Sequence, residues 1–221
     1  RPVQTITGAS VTDRRKMGDV KALRHFGDLA LGASLAFSRE EDYFSRAYGL
    51  QGQYSLNQKN TVITAGFGRS DDNVRSSDNP DLDEPRATNE YLLGVTQVVS
   101  QTALVQSTLS LSRGHGFYDD PYRFTLTFYP TGAPAFMPDT RPRERHAFAW
   151  LTRWRQHVPS ANGTLQAEYR FFRDDWGIRA HTLEAAWQQS VGERWSVRPA
   201  LRYYTQTAAD FYSPLIPQGR A

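Results

Sequence analysis

Five histidines, His25, His115, His146, His157 and His181, are the first residues to test for chemistry. A hydrolase needs a nucleophile, a histidine and a third group that orients the histidine. The best trio here is His181, Thr182 and Glu184. Adjacent residues of an extended strand point to opposite faces, so His181 and Thr182 cannot act together. His115 stands near Asp119 and Asp120 without ligand spacing, and no two histidines stand at a zinc-site interval. The chain has no cysteine, which removes a thiol nucleophile, a thiolate metal site and a disulfide framework. The expectation is no catalytic residue, no metal and no cofactor, with an outer-membrane hydrolase as the disfavoured reading.

Two charged groups remain. Asp71, Asp72, Asp78, Asp81, Asp83 and Glu84 crowd one polar stretch and offer the hard oxygens that calcium prefers. Their spacing is not that of an EF-hand. A solvated extracellular loop is the plainer reading, and a loop holding calcium or the cations that bridge lipopolysaccharide is the sharper one. Arg153, Arg155, Arg170, Arg198 and Arg202 share with Glu168 and Glu184 the polar side of alternating segments. A ring of cations in a narrow pore favours anions. The plainer reading is a structural network that pairs the arginines with the two glutamates across strands.

The segments that must position these residues alternate with a period of two. Leu29, Leu31, Ala33, Leu35 and Phe37 oppose Ala30, Gly32, Ser34, Ala36 and Ser38. Leu165, Ala167, Tyr169 and Phe171 oppose Gln166, Glu168 and Arg170. Such alternation makes a sheet with one apolar and one polar face. The pattern predicts about ten strands. They fall at 15–26, 29–40, 44–56, 60–70, 88–99, 102–113, 146–158, 164–173, 178–190 and 194–206. Tight turns are expected at Gly27-Asp28, Asn57 to Asn60, Ser100-Gln101, Pro159 to Gly163 and Gly192-Glu193. The other connections are polar, at Glu40 to Asp42, Asp71 to Ala87, Gly114 to Arg145 and Asp174 to Gly177. Phe124, Leu126 and Phe128 alternate inside the longest of them and predict a hairpin rising from it. Pro199 interrupts the last strand and predicts a bulge.

Composition decides what kind of sheet this is. Hydrophobic residues are 39% and aromatics 13% of the 221 residues, with a mean hydropathy of -0.61. A soluble domain is usually more apolar, at roughly 45–50%, and a disordered chain has few aromatics. A transmembrane barrel is apolar outside, polar inside and ringed by aromatics. Phe37, Tyr43, Phe44, Phe171, Trp176, Tyr203 and Phe211 suit one aromatic belt, and Phe26, Trp154, Trp187 and Trp195 the other. No apolar run reaches the roughly 20 residues of a membrane helix. Strands of about 10 residues match a tilted bilayer crossing. Short turns on one side and longer loops on the other are the barrel arrangement, with the short side periplasmic. The net charge of +3 is small and dispersed, so no nucleic acid is expected as a partner. The chain opens at Arg1-Pro2-Val3 with no signal peptide, and the reading therefore expects a processed or truncated start.

Several stretches resemble a known family. They are Ile6-Thr7-Gly8-Ala9-Ser10 with Thr12-Asp13-Arg14-Arg15, Asn57-Gln58-Lys59-Asn60-Thr61, and Arg153-Trp154-Arg155-Gln156. Tyr169 to Gly177, Leu201-Arg202-Tyr203-Tyr204, and Ala208 to Tyr212 complete the set in order. Together they resemble the bacterial family catalogued as domain of unknown function 3570. The resemblance implies a Gram-negative outer-membrane barrel whose members are longer at both ends, with about 16 strands in all. It also implies a setting beside a small lipoprotein, a thioredoxin-like protein and a flavin-attaching transferase. The expectation is thus one domain over residues 1–221, an all-β transmembrane antiparallel up-and-down barrel lacking terminal strands. Its expected surroundings are outer-membrane lipid and lipopolysaccharide, with a small lipoprotein or periplasmic redox protein as partner. The leading function is a passive or partner-gated conduit, and the rival is a structural sheath around such a partner.

Overall fold

A computed structural model of the chain describes residues 5–7, 14–128, 131 and 133–212. Its elements run β1 (Thr5–Thr7), β2 (Lys16–Phe26), β3 (Leu29–Arg39), β4 (Tyr43–Leu56), β5 (Thr61–Arg75), β6 (Asp83–Ser100) and β7 (Ala103–Gly116). They continue with β8 (Arg123–Phe128), β9 (Pro134–Pro138), β10 (Glu144–Val158), β11 (Gly163–Asp174), β12 (Arg179–Val191), β13 (Trp195–Val197) and β14 (Ala200–Gln206). Every strand pair is antiparallel. The large sheet is an up-and-down meander in chain order, except that β7 pairs directly with β10. The hairpin β8–β9 stands apart, as expected from Phe124 and Leu126, and β1 adds to its β8 edge. Among the described residues β2 and β14 do not pair with each other, so the sheet is open.

Strand existence follows the sequence pattern, while two local expectations need correction. The expected loop Asp71 to Ala87 shrinks to Ser76–Leu82, because β5 runs on to Arg75 and β6 begins at Asp83. Polar side chains replace apolar ones there, and cross-strand pairs hold the ladder together. Pro199 makes no bulge. Gln189 opposite Val197 and Ala186 opposite Ala200 belong to one unbroken register, so β13 and β14 are halves of one crossing. Trp187 still donates its N–H to the Pro199 carbonyl at 3.0 Å. Proline removes only the return bond. The irregularity of register lies instead at Val99, between Val98 and Ser100 of β6.

The tight turns carry the backbone strain of the wall. Gly27 has φ 63° at the first position of a two-residue turn, where a left-handed φ suits glycine. Asn57, Gln58 and Lys59 all hold left-handed φ, at 51°, 57° and 69°. That costs an L-residue about 1–2 kcal/mol each. The Asn57 side chain offsets part of it by donating to Thr61 Oγ1, which donates to Gln97 Oε1 on β6.

The two faces are inverted relative to a soluble protein. Leu93, Leu109, Trp150 and Phe171 form one row across β6, β7, β10 and β11 on the outer face. Large apolar side chains on this face lie open, Leu35 at 66%, Leu50 at 62% and Leu201 at 76% exposure. Among the described residues no large side chain is fully buried. The opposite, polar face is concave, because Ser45 of β4 and Phe172 of β11 line one cavity of about 470 Å³. Burying a leucine or phenylalanine against an apolar medium stabilises by about 1.5–3 kcal/mol. Lipid is the medium that gives this sheet that stabilisation. The outward apolar run from Tyr48 to Leu56 on β4 has the length a tilted crossing requires.

Candidate conduit-lining face

Near the tight turns the concave face carries a row of charges. Register places Arg153 of β10 opposite Glu168 of β11, Glu168 opposite Glu184 of β12, and Glu184 opposite Arg202 of β14. The two glutamates are like charges directly opposed, which is destabilising alone. Arg153 offsets part of that repulsion, while Arg202 has no carboxylate within ion-pair distance among the described residues. Arg153 Nε donates to Glu168 Oε2 at 2.6 Å. Arg198 gives one bond to the Gln166 side chain at 3.1 Å. All seven residues singled out on sequence therefore share one face. Among the described residues no carboxylate lies within ion-pair distance of Arg155, Arg170 or Arg198.

At the loop end a second cluster closes over the same face. Arg86 of β6 reaches Asp72 Oδ2 of β5 with Nε and Nη2, at 3.1 and 3.0 Å, and Tyr43 Oη with Nη2 at 2.9 Å. The side chain of Asp72 is 4% exposed, and its Oδ1 has no hydrogen-bond partner among the described residues. Arg145 of β10 reaches Asp174 Oδ2 of β11 with two nitrogens, at 3.0 and 2.7 Å. Its guanidinium lies 4.4 Å from the Trp176 ring centre. Between these pairs sits Tyr118, edge-on to Trp176 at 5.4 Å and beneath the Arg86 guanidinium. The chain after β7 is thus folded inward. Tyr122 pins it by donating to Asp42 Oδ2 at 2.7 Å while accepting from the Ser77 N–H. Higher up, Glu84 raises the Arg143 guanidinium above its ordinary value, first by hydrogen bond and then by charge.

The inward bend depends on glycine. Gly116 has φ 128°, and a Cβ there would overlap the Pro85 carbonyl and press on the Arg86 backbone. Gly116→Ala is expected to cost about 2–4 kcal/mol, combining backbone strain with overpacking. A urea unfolding midpoint in lipid vesicles measures it, and a change below 1 kcal/mol would be the opposite result.

Other sequence candidates are dispersed. Of the acidic group, Asp71 pairs with Arg69, Asp72 with Arg86, Asp83 with Arg75 and Glu84 with Arg143. Only Asp78 and Asp81 lie in the loop. Among the described residues no three His, Cys, Asp or Glu side chains gather as a metal site. His181 is on the outer face, bonded through Nδ1 to the Tyr169 hydroxyl at 2.8 Å, away from Thr182 and Glu184. Tyr43 and Trp176 leave the expected aromatic belt for the inner cluster. Tyr43 and Phe44 are adjacent in a strand and must face opposite ways. Trp176 is buried, with its Nε1–H donating to the Glu144 carbonyl at 2.8 Å. Sequence reading missed Arg86 and Arg145. Their signal is parity, since each continues the polar side of its strand.

An antiparallel up-and-down meander with an apolar exterior and a polar concave face is the wall of a transmembrane β-barrel. The chain belongs to the family described as "Protein of unknown function (DUF3570)", whose model matches residues 2–83 and 75–221. Among solved structures it is similar to CdiB from Acinetobacter baumannii, with TM-score 0.55 and 10% identity over 97% of this chain and 38% of that one. The chain thus spans less than half of that structure's length. It also matches the β domain of the Bordetella autotransporter BrkA, with TM-score 0.36 and 9% identity over 92% and 88% of the two chains. No curated protein matches it in sequence.

Proposed function

We propose that this chain forms wall of an outer-membrane conduit in a Gram-negative bacterium, porin-like and either passive or gated by a partner. The observation that carries the proposal is the inversion of the sheet: leucines and aromatics outside, charges and hydroxyls on the concave side. An apolar exterior needs lipid, and a polar interior needs water. Arg155, Arg170 and Arg198, with no acidic partner among the described residues, bias that water-filled side toward anions. The inward loop around Tyr118 narrows the path at its outer end.

A structural sheath is the second reading. Gly32, Ser34, Ala47, Gly49, Gly66 and Gly68 surface the concave side of β3 to β5 and border a groove of about 740 Å³. A short segment of a lipoprotein or of a periplasmic redox partner fits a groove of that size. Single-channel conductance of the full-length protein in a planar bilayer separates the two. The conduit predicts steady, ohmic current with anion preference. Silence from a correctly folded barrel overturns it in favour of the sheath.

A further inference from the structure

The outer face changes character at the loop end of the apolar band. Arg39, Arg46, Arg69, Arg113, Arg173 and Arg179 all have the parity of the lipid-facing residues, one or two pleats beyond Phe37, Tyr48, Phe67, Leu111, Phe171 and His181. Register puts Arg69 and Arg113 on one row through Asn89, and Arg173 directly opposite Arg179. Arg69 is paired with Asp71. For the other five, no carboxylate among the described residues lies within ion-pair distance. Five of the six are exposed, Arg69 being the half-buried one. Two guanidiniums opposed across β11 and β12 repel unless an anion lies between them. At the other rim, among the described residues, the outward parity of the strands ends in Phe26, Leu56, Val99, Val158 and Val191, with Arg24 as the strand cation nearest the edge and Lys59 and Arg194 in the turns beyond it.

We infer that this arginine girdle binds the phosphates of a phosphorylated glycolipid, the lipopolysaccharide of the outer leaflet. The inference rests on the outer-membrane reading. Arginine presents a planar fork that takes phosphate oxygens in pairs, and its weak hydration suits a membrane interface. The acyl chains of the same lipid pack on Phe171 and Tyr91 just below, beside Phe148 in the row of Arg173. Phosphate between Arg173 and Arg179 turns their repulsion into a shared contact. The one-sided girdle also places the loop end in the outer leaflet, independently of loop length.

The test uses the full-length protein folded in neutral detergent, titrated with bisphosphorylated lipid A and with the same lipid after phosphatase treatment. Native mass spectrometry and thermal unfolding read binding. The phosphorylated lipid is expected to bind at least about tenfold tighter, and Arg113→Gln with Arg173→Gln and Arg179→Gln to remove that difference. In lipid-free detergent the triple variant is expected to be at least as stable as the parent, since the Arg173–Arg179 repulsion goes with it, which separates binding from folding. Arg153→Gln, on the concave face, is expected to leave binding unchanged. Equal binding of the two lipids, or a preference untouched by the triple variant, overturns the proposal while leaving the barrel intact. A preference lost through Arg153→Gln alone overturns the assignment of faces itself.

Discussion

Asp174→Ala is expected to lower the stability of the folded protein in lipid vesicles by about 3–5 kcal/mol. The Asp174 side chain is fully buried at the end of β11. Its Oδ2 takes both bonds from Arg145, and its Oδ1 accepts from the backbone N–H groups of Trp176 and Ile178, at 3.2 and 2.9 Å. Alanine leaves a part-buried guanidinium without its counter-charge and two turn donors without an acceptor. Asp174→Asn keeps an acceptor for the turn and loses the charge, so it is expected to cost less, about 1.5–3 kcal/mol. Adding Arg145→Met to Asp174→Ala is expected to recover part of the loss, because the stranded charge goes with it. Urea unfolding of the four proteins gives the comparison. A loss below 1 kcal/mol for alanine would show that the loop end is not held by this pair.

On the proposed conduit function, reversing two concave-face charges, Arg155→Glu with Arg198→Glu, is expected to change ion preference from anions to cations. Neither arginine has a carboxylate partner among the described residues, so the change leaves no acid stranded. Two unit charges at 4 Å interact by about 1 kcal/mol in water. Two reversals on a confined wall are therefore expected to shift the permeability ratio by about tenfold. The reversal potential under a salt gradient reads it. The effect is expected to fade near 1 M salt, where the Debye length is about 3 Å. An unchanged reversal potential in a correctly folded barrel would show that these arginines do not face the path of the ions.

The wall was legible in the sequence because a membrane sharpens the alternation of a strand. Lipid demands apolar side chains on one parity over a whole crossing, and Leu29 to Phe37 satisfies it without exception. Above the band that demand stops. From Arg69 to Arg75 charged and polar residues occupy both parities, and cross-strand pairs such as Asp72 with Arg86 keep the strand together. A hydrophobic period cannot detect such a strand, which is why the region read as a loop. The concave charges of β10 to β14 were legible from parity alone. Arg86, Arg145 and Trp176 were not, because their importance comes from Tyr118, which a loop brings across the face. The outer girdle was available in principle, since Arg113 follows Leu111, and Arg173 follows Phe171, at the same parity.

The small sheet of β1, β8 and β9 fixes an order of assembly. The wall grows by neighbouring hairpins, each needing only a short stretch of chain to form. Thr5 opposite Thr125 joins residues separated by most of the wall. Loop-closure entropy makes such a contact late, after the strands between have brought its ends together. The small sheet is therefore a record that β2 to β7 have formed. A chain whose β1 is docked on β8 has the strands between them in place.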